Sequence, residues 1–322
     1  MTSVGFVLGS NFHPSELVGV ARAIEDNGFD SIWTSEDYFM TGGVSGSAVV
    51  LGATNRVKVG TGVLSPYVRH PALTAMEAST LASAFPGRFR LGLGAGVSAW
   101  LDQQGIAHSK PLAVMRESIA AIRQLLQGAK LTGDYAGFHF DEVCLSYLPE
   151  HVPEIFVGAT GPKMTALAGE VADGLLLSVF ASENFISLER EIAERANTSG
   201  TRTTLSSFEF FSLGDTVEKA RDAARPVLAD YLATGGSAAM TDAIGITEEL
   251  HALSLAGGVD HLAKAMPDSW IDQLAICGDL TTCLERIDAL GAAGADEIAL
   301  APIITDNLEE DIRTLGAVLR NK

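Results

Sequence analysis

Eight short apolar, β-branched runs, separated by longer stretches of helical periodicity, limit the folds open to this chain more than any other feature. The runs fall at residues 4–8, 31–34, 57–62, 89–93, 155–157, 174–178, 205–211 and 297–300. Helical patterns occupy 14–27, 47–54, 72–84, 111–126, 162–171, 183–196, 216–234 and 281–290, and 308–319 closes the chain. The first helix shows the logic: Leu17, Val20, Ala21 and Ile24 form one apolar stripe, and Gly28 supplies a C-cap. Helical crossovers make neighbouring strands parallel and leave the helices outside. Eight such units in 322 residues predict an α/β fold, a TIM (β/α)8 barrel in a single domain spanning 1–322. The competing doubly wound sheet would carry G-x-G-x-x-G after its first strand, where this chain has Gly9-Ser10-Asn11-Phe12-His13-Pro14. Two segments break the rhythm and read as insertions. One is about 128–150, irregular or a hairpin around Phe138-His139-Phe140, and the other is the Gly- and Ala-rich stretch at about 235–270.

Composition narrows the function class. The net charge is −18, from 22 Lys and Arg against 40 Asp and Glu, which argues against a nucleic-acid partner. Cys144, Cys277 and Cys283 are scattered, form no C-x-x-C pair and give no zinc spacing, so they read as reduced core thiols and no metal site is expected. The first ten residues, MTSVGFVLGS, lack the basic n-region of a signal peptide, and no apolar run approaches the ~20 residues that span a bilayer. A cytoplasmic enzyme acting on a small molecule is the expectation.

In a barrel the active site lies at the C-terminal ends of the strands. Those ends carry Asn11 and His13, then Glu36 and Asp37, then Thr61, Gly62, Tyr67 and Arg69. The later ends carry Gly94, Ala95, Gly96 and Ser98, then Gly158, Ala159, Thr160 and Gly161, then Ser178. GATGPKM, at 158–164, joins a strand to a helix with Pro162 suited to the first turn. Its free N–H groups and Lys163 would favour an anion such as a phosphate, although a tight βα turn alone could use the same residues. LGLGAG, at 91–96, is a second glycine loop open to the same two readings. In WTSEDYF, at 33–39, Glu36 and Asp37 are adjacent, so an extended backbone turns only one of them toward the site. His13 reads as an acid/base or as an ordinary loop residue. GTGVLSPYVRHP, at 60–71, puts two glycines where a strand stops, as a close backbone approach to a ligand or a kink in the wall would require.

GTGVLSPYVRHPALTA, RFRLGLGAG and VGATGPKMTALAGEVADGLLLS, in this order, resemble the bacterial luciferase-like superfamily. They are most similar to its branch that uses the deazaflavin coenzyme F420, typified by methylenetetrahydromethanopterin reductase. DNGFDSIWTSEDYF matches the same branch around strand two, and the likeness returns in ICGDLTTCLERIDALGAAGADEIAL. The resemblance implies a cofactor lying across the strand ends. It implies a strand-three bulge at Gly62 and Val63, often with a non-prolyl cis peptide, behind the central ring. It places Gly94–Ser98 near the ring or ribityl chain, and Gly158, Ala159, Thr160 and Gly161 at the phosphate. Three positions depart from the family's pattern. Glu36-Asp37 stands for the common Asp-His, Val7 for a strand-one glutamate, and Val97 or Ser98 for an acid after the strand-four glycines.

The expected reaction is hydride transfer between F420 and an organic substrate, such as reduction of a C=N or C=C bond. Glu36, Asp37 or His13 would deliver the proton, and Asn11, Tyr67 and Arg69 would bind substrate. Thr61 and Ser178 join the cofactor set. An FMN-dependent monooxygenase of the same superfamily is the second reading, and a non-catalytic ligand-binding barrel the third. A homodimer is the usual state of the resembled family, with helices early in the barrel as the interface.

Overall fold

The computed structural model describes residues 2–9, 12–234, 237–303 and 307–320. β1 (Ser3–Leu8), α1 (Leu17–Asp26), β2 (Ser31–Thr34), α2 (Gly43–Ala53), β3 (Lys58–Thr61), α3 (Pro71–Ala84) and β4 (Phe89–Leu93) build the first half of the wall. α4 (Ser98–Gln103) and α5 (Pro111–Leu126) follow, and then β5 (Leu131–Tyr135) and β6 (Phe138–Val143) form an antiparallel hairpin within the first expected insertion. The wall resumes with β7 (Glu154–Ala159), α6 (Pro162–Val171), β8 (Gly174–Leu177), α7 (Glu183–Ala196) and β9 (Thr204–Leu213). α8 (Val217–Thr234), α9 (Ala238–Asp242), α10 (Thr247–Ala265), α11 (Asp268–Leu274), β10 (Ala275–Gly278), α12 (Leu280–Ala292), β11 (Glu297–Pro302) and α13 (Leu308–Leu319) complete the described chain. Among the described residues, no helix is long and apolar enough to cross a membrane.

The strands run β9-β11-β1-β2-β3-β4-β7-β8, and β8 pairs back onto β9 to close a parallel eight-stranded barrel. All eight expected strands are in the wall. β10 is an unexpected ninth strand. β9 pairs with β8 over Thr204–Ser207 and, further along, with β10 from Phe210 to Leu213. Ala275-Ile276-Cys277-Gly278 contains one β-branched residue, too weak a pattern to read as a strand. α2 begins at Gly43, ahead of the expected 47, because the Gly43 N–H finds an acceptor in the Glu36 carboxylate at 3.0 Å.

Two layers fill the barrel. Val7, Trp33, Phe156, Leu176, Phe208 and Ala299 form an apolar plug. Below it, toward the strands' N-terminal ends, lies the buried carboxylate of Glu297 on β11. It accepts hydrogen bonds from Ser31 Oγ, Trp33 Nε1 (2.7 Å), Arg90 Nη1 (2.6 Å) and Ser206 Oγ (3.1 Å). Burial alone would raise its pKa, but the Arg90 charge and these donors hold it below the ordinary carboxylate value. The Arg90 guanidinium also lies 5.6 Å from the Trp33 ring and 5.4 Å from that of Phe156.

Glu209 on β9 is the opposite case. Its carboxyl is fully buried and receives Ser207 Oγ at 2.6 Å, while its Oε2 has no partner among the described residues. Burial pushes its pKa up to about 8, with Arg286 opposing the shift and Glu183 adding to it. The folded state therefore keeps a proton that the unfolded chain has already lost above its own value near 4.5, and stability falls as pH rises between 4.5 and about 8. We predict that Glu209→Gln melts at the same temperature as wild type near pH 4.5. Its advantage should then grow with pH, by up to about 1.4 kcal/mol per unit, read from thermal unfolding across that range.

Candidate active site

A cleft of about 1020 Å³ opens at the C-terminal ends of the barrel strands. Its floor begins where β3 ends. Gly62 and Val63 are joined by a cis peptide, and the chain then pairs again with β4's end through Leu64, whose N–H bonds Gly92 O and whose carbonyl accepts from Gly94 N–H. The glycines here serve packing first. A Cβ on Gly62 would lie 2.8 Å from Phe208, and one on Gly94 only 2.3 Å from Val63 Cγ2. Their absence lets the Val63 isopropyl group and the Phe208 ring settle into one flat apolar floor. Gly96 adopts φ +81°, a left-handed conformation that favours glycine, and starts the turn into α4.

One end of the cleft has the groups that could hold an anion. Gly158–Lys163 runs from β7 into α6, whose N-cap is Gly161. A Cβ on Gly161 would meet no protein atom, so the space before it belongs to the cleft. The Thr160 carbonyl accepts from Ser237 Oγ at 2.7 Å. In a trans peptide the N–H points away from the C=O, so this bond directs the Gly161 N–H to the side opposite Ser237. Lys163 and Lys110 also line the cleft. An apolar floor beside an amide-rich cationic loop fits a planar ring carrying a phosphate.

The other end holds Glu36, Asp37 and Tyr38. Both oxygens of Glu36 are bonded by the Arg69 guanidinium, the second at 2.8 Å, and the Gly43 N–H adds a third donor. This bidentate pair fixes the bend after β2 and leaves Glu36 a poor proton shuttle. The Arg69 pKa is raised, chiefly by its bond to Glu36. Tyr38 and Trp100 pack against each other with ring centroids 5.9 Å apart and planes tilted by 52°. Burial raises the Tyr38 pKa, and the Glu36 charge raises it further.

The structure brings most of the expected residues together and leaves a few aside. Glu36, Asp37, Gly62, Val63, Gly94, Ala95, Gly96, Gly158, Ala159, Thr160, Gly161, Lys163 and Ser178 all line the cleft. Thr61 lies behind the floor, its hydroxyl exchanging hydrogen bonds with the N–H and carbonyl of Gly92 at 2.9 and 3.0 Å. Ser98 is an exposed first residue of α4, and Trp100 reaches the cleft in its place. His13 is turned to Ser15 Oγ at 2.7 Å in an exposed turn. Tyr67 donates to the Ser109 carbonyl at 2.9 Å, outside the lining. Asn11 lies outside the described residues.

Sequence reasoning missed the side walls. Leu176 and Phe208 point into the barrel by strand alternation, a signal that was available. Lys110–Ala113 arrive from the start of α5, and no local pattern announces that. Among the described residues, no group of His, Cys, Asp and Glu side chains could hold a metal ion.

The sequence profile of the luciferase-like monooxygenase family matches residues 2–297. The chain is 33% identical over 321 residues to the 5,10-methylenetetrahydromethanopterin reductase of Methanolobus tindarius, covering 96% of this chain and 98% of that protein. It is 36% identical over 182 residues to an F420-dependent glucose-6-phosphate dehydrogenase of Nakamurella multipartita, covering 51% and 52%. Its fold matches the coenzyme F420 dependent tetrahydromethanopterin reductase structure from Methanopyrus kandleri with a TM-score of 0.88, at 23% identity over 100% of this chain and 99% of that one.

The floor geometry makes a prediction. Gly94→Ala should cost about 1–3 kcal/mol, because the new methyl must displace the Val63 side chain. The double variant Val63→Ala/Gly94→Ala should regain most of that loss, and equal urea midpoints for the single and double variants would refute this packing.

Proposed function

Because this chain belongs to the luciferase-like monooxygenase family, we propose that it is an oxidoreductase that transfers a hydride between coenzyme F420 and an organic substrate. The observation that carries the reading is the pairing of a flat apolar floor with a cationic, amide-rich loop in one cleft. The glucose-6-phosphate dehydrogenase relative, whose name carries the coenzyme, supports F420. The methylenetetrahydromethanopterin reductase relative supports the reductive direction, which we assign to a C=N or C=C bond.

When bound, the deazaflavin supplies the hydride. The protein's part is to hold, orient and exclude water. Gly62, Val63 and Gly94 back the ring, and Gly158–Lys163 with Lys110 takes the phosphate end. Trp100, Leu112 and Met164 give the cleft apolar walls that exclude water from the reacting face. Tyr38 and Trp100, packed against each other at one end of the cleft, give a flat, unsaturated substrate group an aromatic wall to lie beside. Of the residues first considered for proton delivery, Glu36 and Asp37 line the cleft, and Glu36 is held by Arg69, which leaves Asp37. Tyr38 joins it as a hydrogen-bond donor: its phenol lines the cleft and is protonated at neutral pH, and burial, which raises its pKa, suits it to polarising a substrate atom more than to giving up its proton.

Fluorescence titration with F420 and, separately, with FMN tests the reading. F420 should bind and be turned over. Tight FMN binding without F420 binding would replace this proposal with a flavin monooxygenase, and F420 binding without turnover would leave a ligand-binding barrel. Tyr38→Phe should lower kcat by about 10²-fold with the F420 dissociation constant within about twofold of wild type.

The assembled form proposed is a homodimer through α2 and α3. α2 carries no charged residue, and Val49, Leu73 and Met76 on the two helices stand exposed at 42%, 52% and 50%. Three free cysteines, two of them buried, support a reducing compartment such as the cytoplasm. Sedimentation should give about twice the 33.8 kDa chain mass, and Leu73→Glu/Met76→Glu should return it to the monomer value.

A further inference from the structure

Behind the anion loop lies a buried carboxyl group with no cation bonded to it. Glu189 on α7 and Thr165 on α6 are both 0% exposed. Glu189 Oε2 bonds the Thr165 hydroxyl, and that hydroxyl also lies 3.3 Å from the carbonyl of Gly161, the N-cap that lines the cleft. Glu189 Oε1 is buried without a hydrogen-bond partner among the described residues.

Counting hydrogens decides how this chain of contacts runs. Thr165 has one hydroxyl hydrogen, and the Gly161 carbonyl can only accept. A neutral Glu189 satisfies both contacts: its O–H donates to Thr165 Oγ, and the Thr165 O–H donates to Gly161. An ionised Glu189 would draw the Thr165 hydrogen to itself. It would also place an uncompensated negative charge behind a loop suited to anions.

The surroundings favour the neutral form. α6 and α12 pack against α7. On α6, Lys163 lines the cleft and Glu170 is paired with Arg116. On α12, Arg286 is paired with Glu183. On α7 itself, Arg190 is held by Asp296 and the Gly294 carbonyl at 2.7 Å. Burial raises the Glu189 pKa, and the Thr165 hydroxyl is the group that opposes the shift.

We propose that Glu189 is a positioning residue for the coenzyme loop: as a neutral acid it braces the N-cap of α6, adding to the bonds that Met164 and Thr165 N–H donate to the Gly161 carbonyl at 3.2 Å, and on ionisation it loosens that cap, so that coenzyme affinity falls as pH rises. The coenzyme part of this inference rests on the F420 reading of the cleft; the cap itself does not.

The test compares wild type with Glu189→Gln, whose amide donates a hydrogen to Thr165 but cannot ionise. F420 dissociation constants are measured by fluorescence quenching from about pH 6 to about pH 9. Relative to the Gln variant, wild type should weaken by about fivefold or more toward high pH. The ligand's own titration cancels in that ratio. Glu189→Leu should bind weakly at every pH. An infrared difference spectrum of the two ligand-free proteins should carry a protonated-carboxyl C=O band at neutral pH. Superimposable pH profiles, or no such band, would overturn the inference. If wild type shows the band but binds no F420, the coenzyme reading fails instead. Amide exchange at Met164 and Thr165 then decides the cap: faster exchange in Glu189→Leu than in the Gln variant supports it, and equal exchange overturns it.

Discussion

The carboxylate of Glu297 ties the closed end of this barrel together. Its four donors come from β2, β4 and β9, and the acid itself from β11. These strands lie on different sides of the barrel, so the network spans the interior. A buried ion pair contributes little net stability, but it punishes misplacement, because a strand slipped by one residue would bury an unpaired charge. The network is satisfied in the register observed, which is also the register that sets the height at which each strand ends.

The cleft is built upward from that layer. Trp33 donates to Glu297 below and packs on Phe156 and Phe208 within the plug. Phe208 fills the space left by the missing side chain of Gly62, and Val63 fills that left by Gly94. The floor of the cleft is therefore the top of the core. The loops above it are held from outside, by Ser237 at Thr160, by Thr165 at Gly161 and by Arg69 at Glu36. A rigid floor with separately anchored loops explains how relatives of this fold carry different substrates over one kind of barrel.

Local signals read well where a single residue punctuates the chain. The expected 111–126, 162–171 and 183–196 coincide with α5, α6 and α7. Pro111 and Pro162 sit at first helical positions, and Ser182 caps α7 by accepting from Phe185 N–H. Boundaries slipped where glycine or weak pattern replaced such punctuation, as at the start of α2 and throughout β10. The glycine loops were legible as the cleft, but their reason was only half legible. Gly161 is open toward the cleft, whereas Gly62 and Gly94 first make room for neighbouring side chains.

What the sequence determined by itself is the sum of its local parts. Eight strand patterns, their helical crossovers and the loops between them allow one closed parallel architecture and place polar and glycine residues at one end of it. Only the tertiary structure decided which side chains meet. Glu36 finds Arg69 at a separation of 33 residues, Thr165 finds Glu189 at 24, and Ser31 finds Glu297 at 266. The same decision turned His13 and Tyr67 toward neighbouring turns and brought Tyr38, Trp100 and the start of α5 to the cleft. Hydrophobic periodicity reports which face of an element is buried. The partner across a gap depends on barrel closure, strand register and helix rotation, and these exist only once the whole chain has packed.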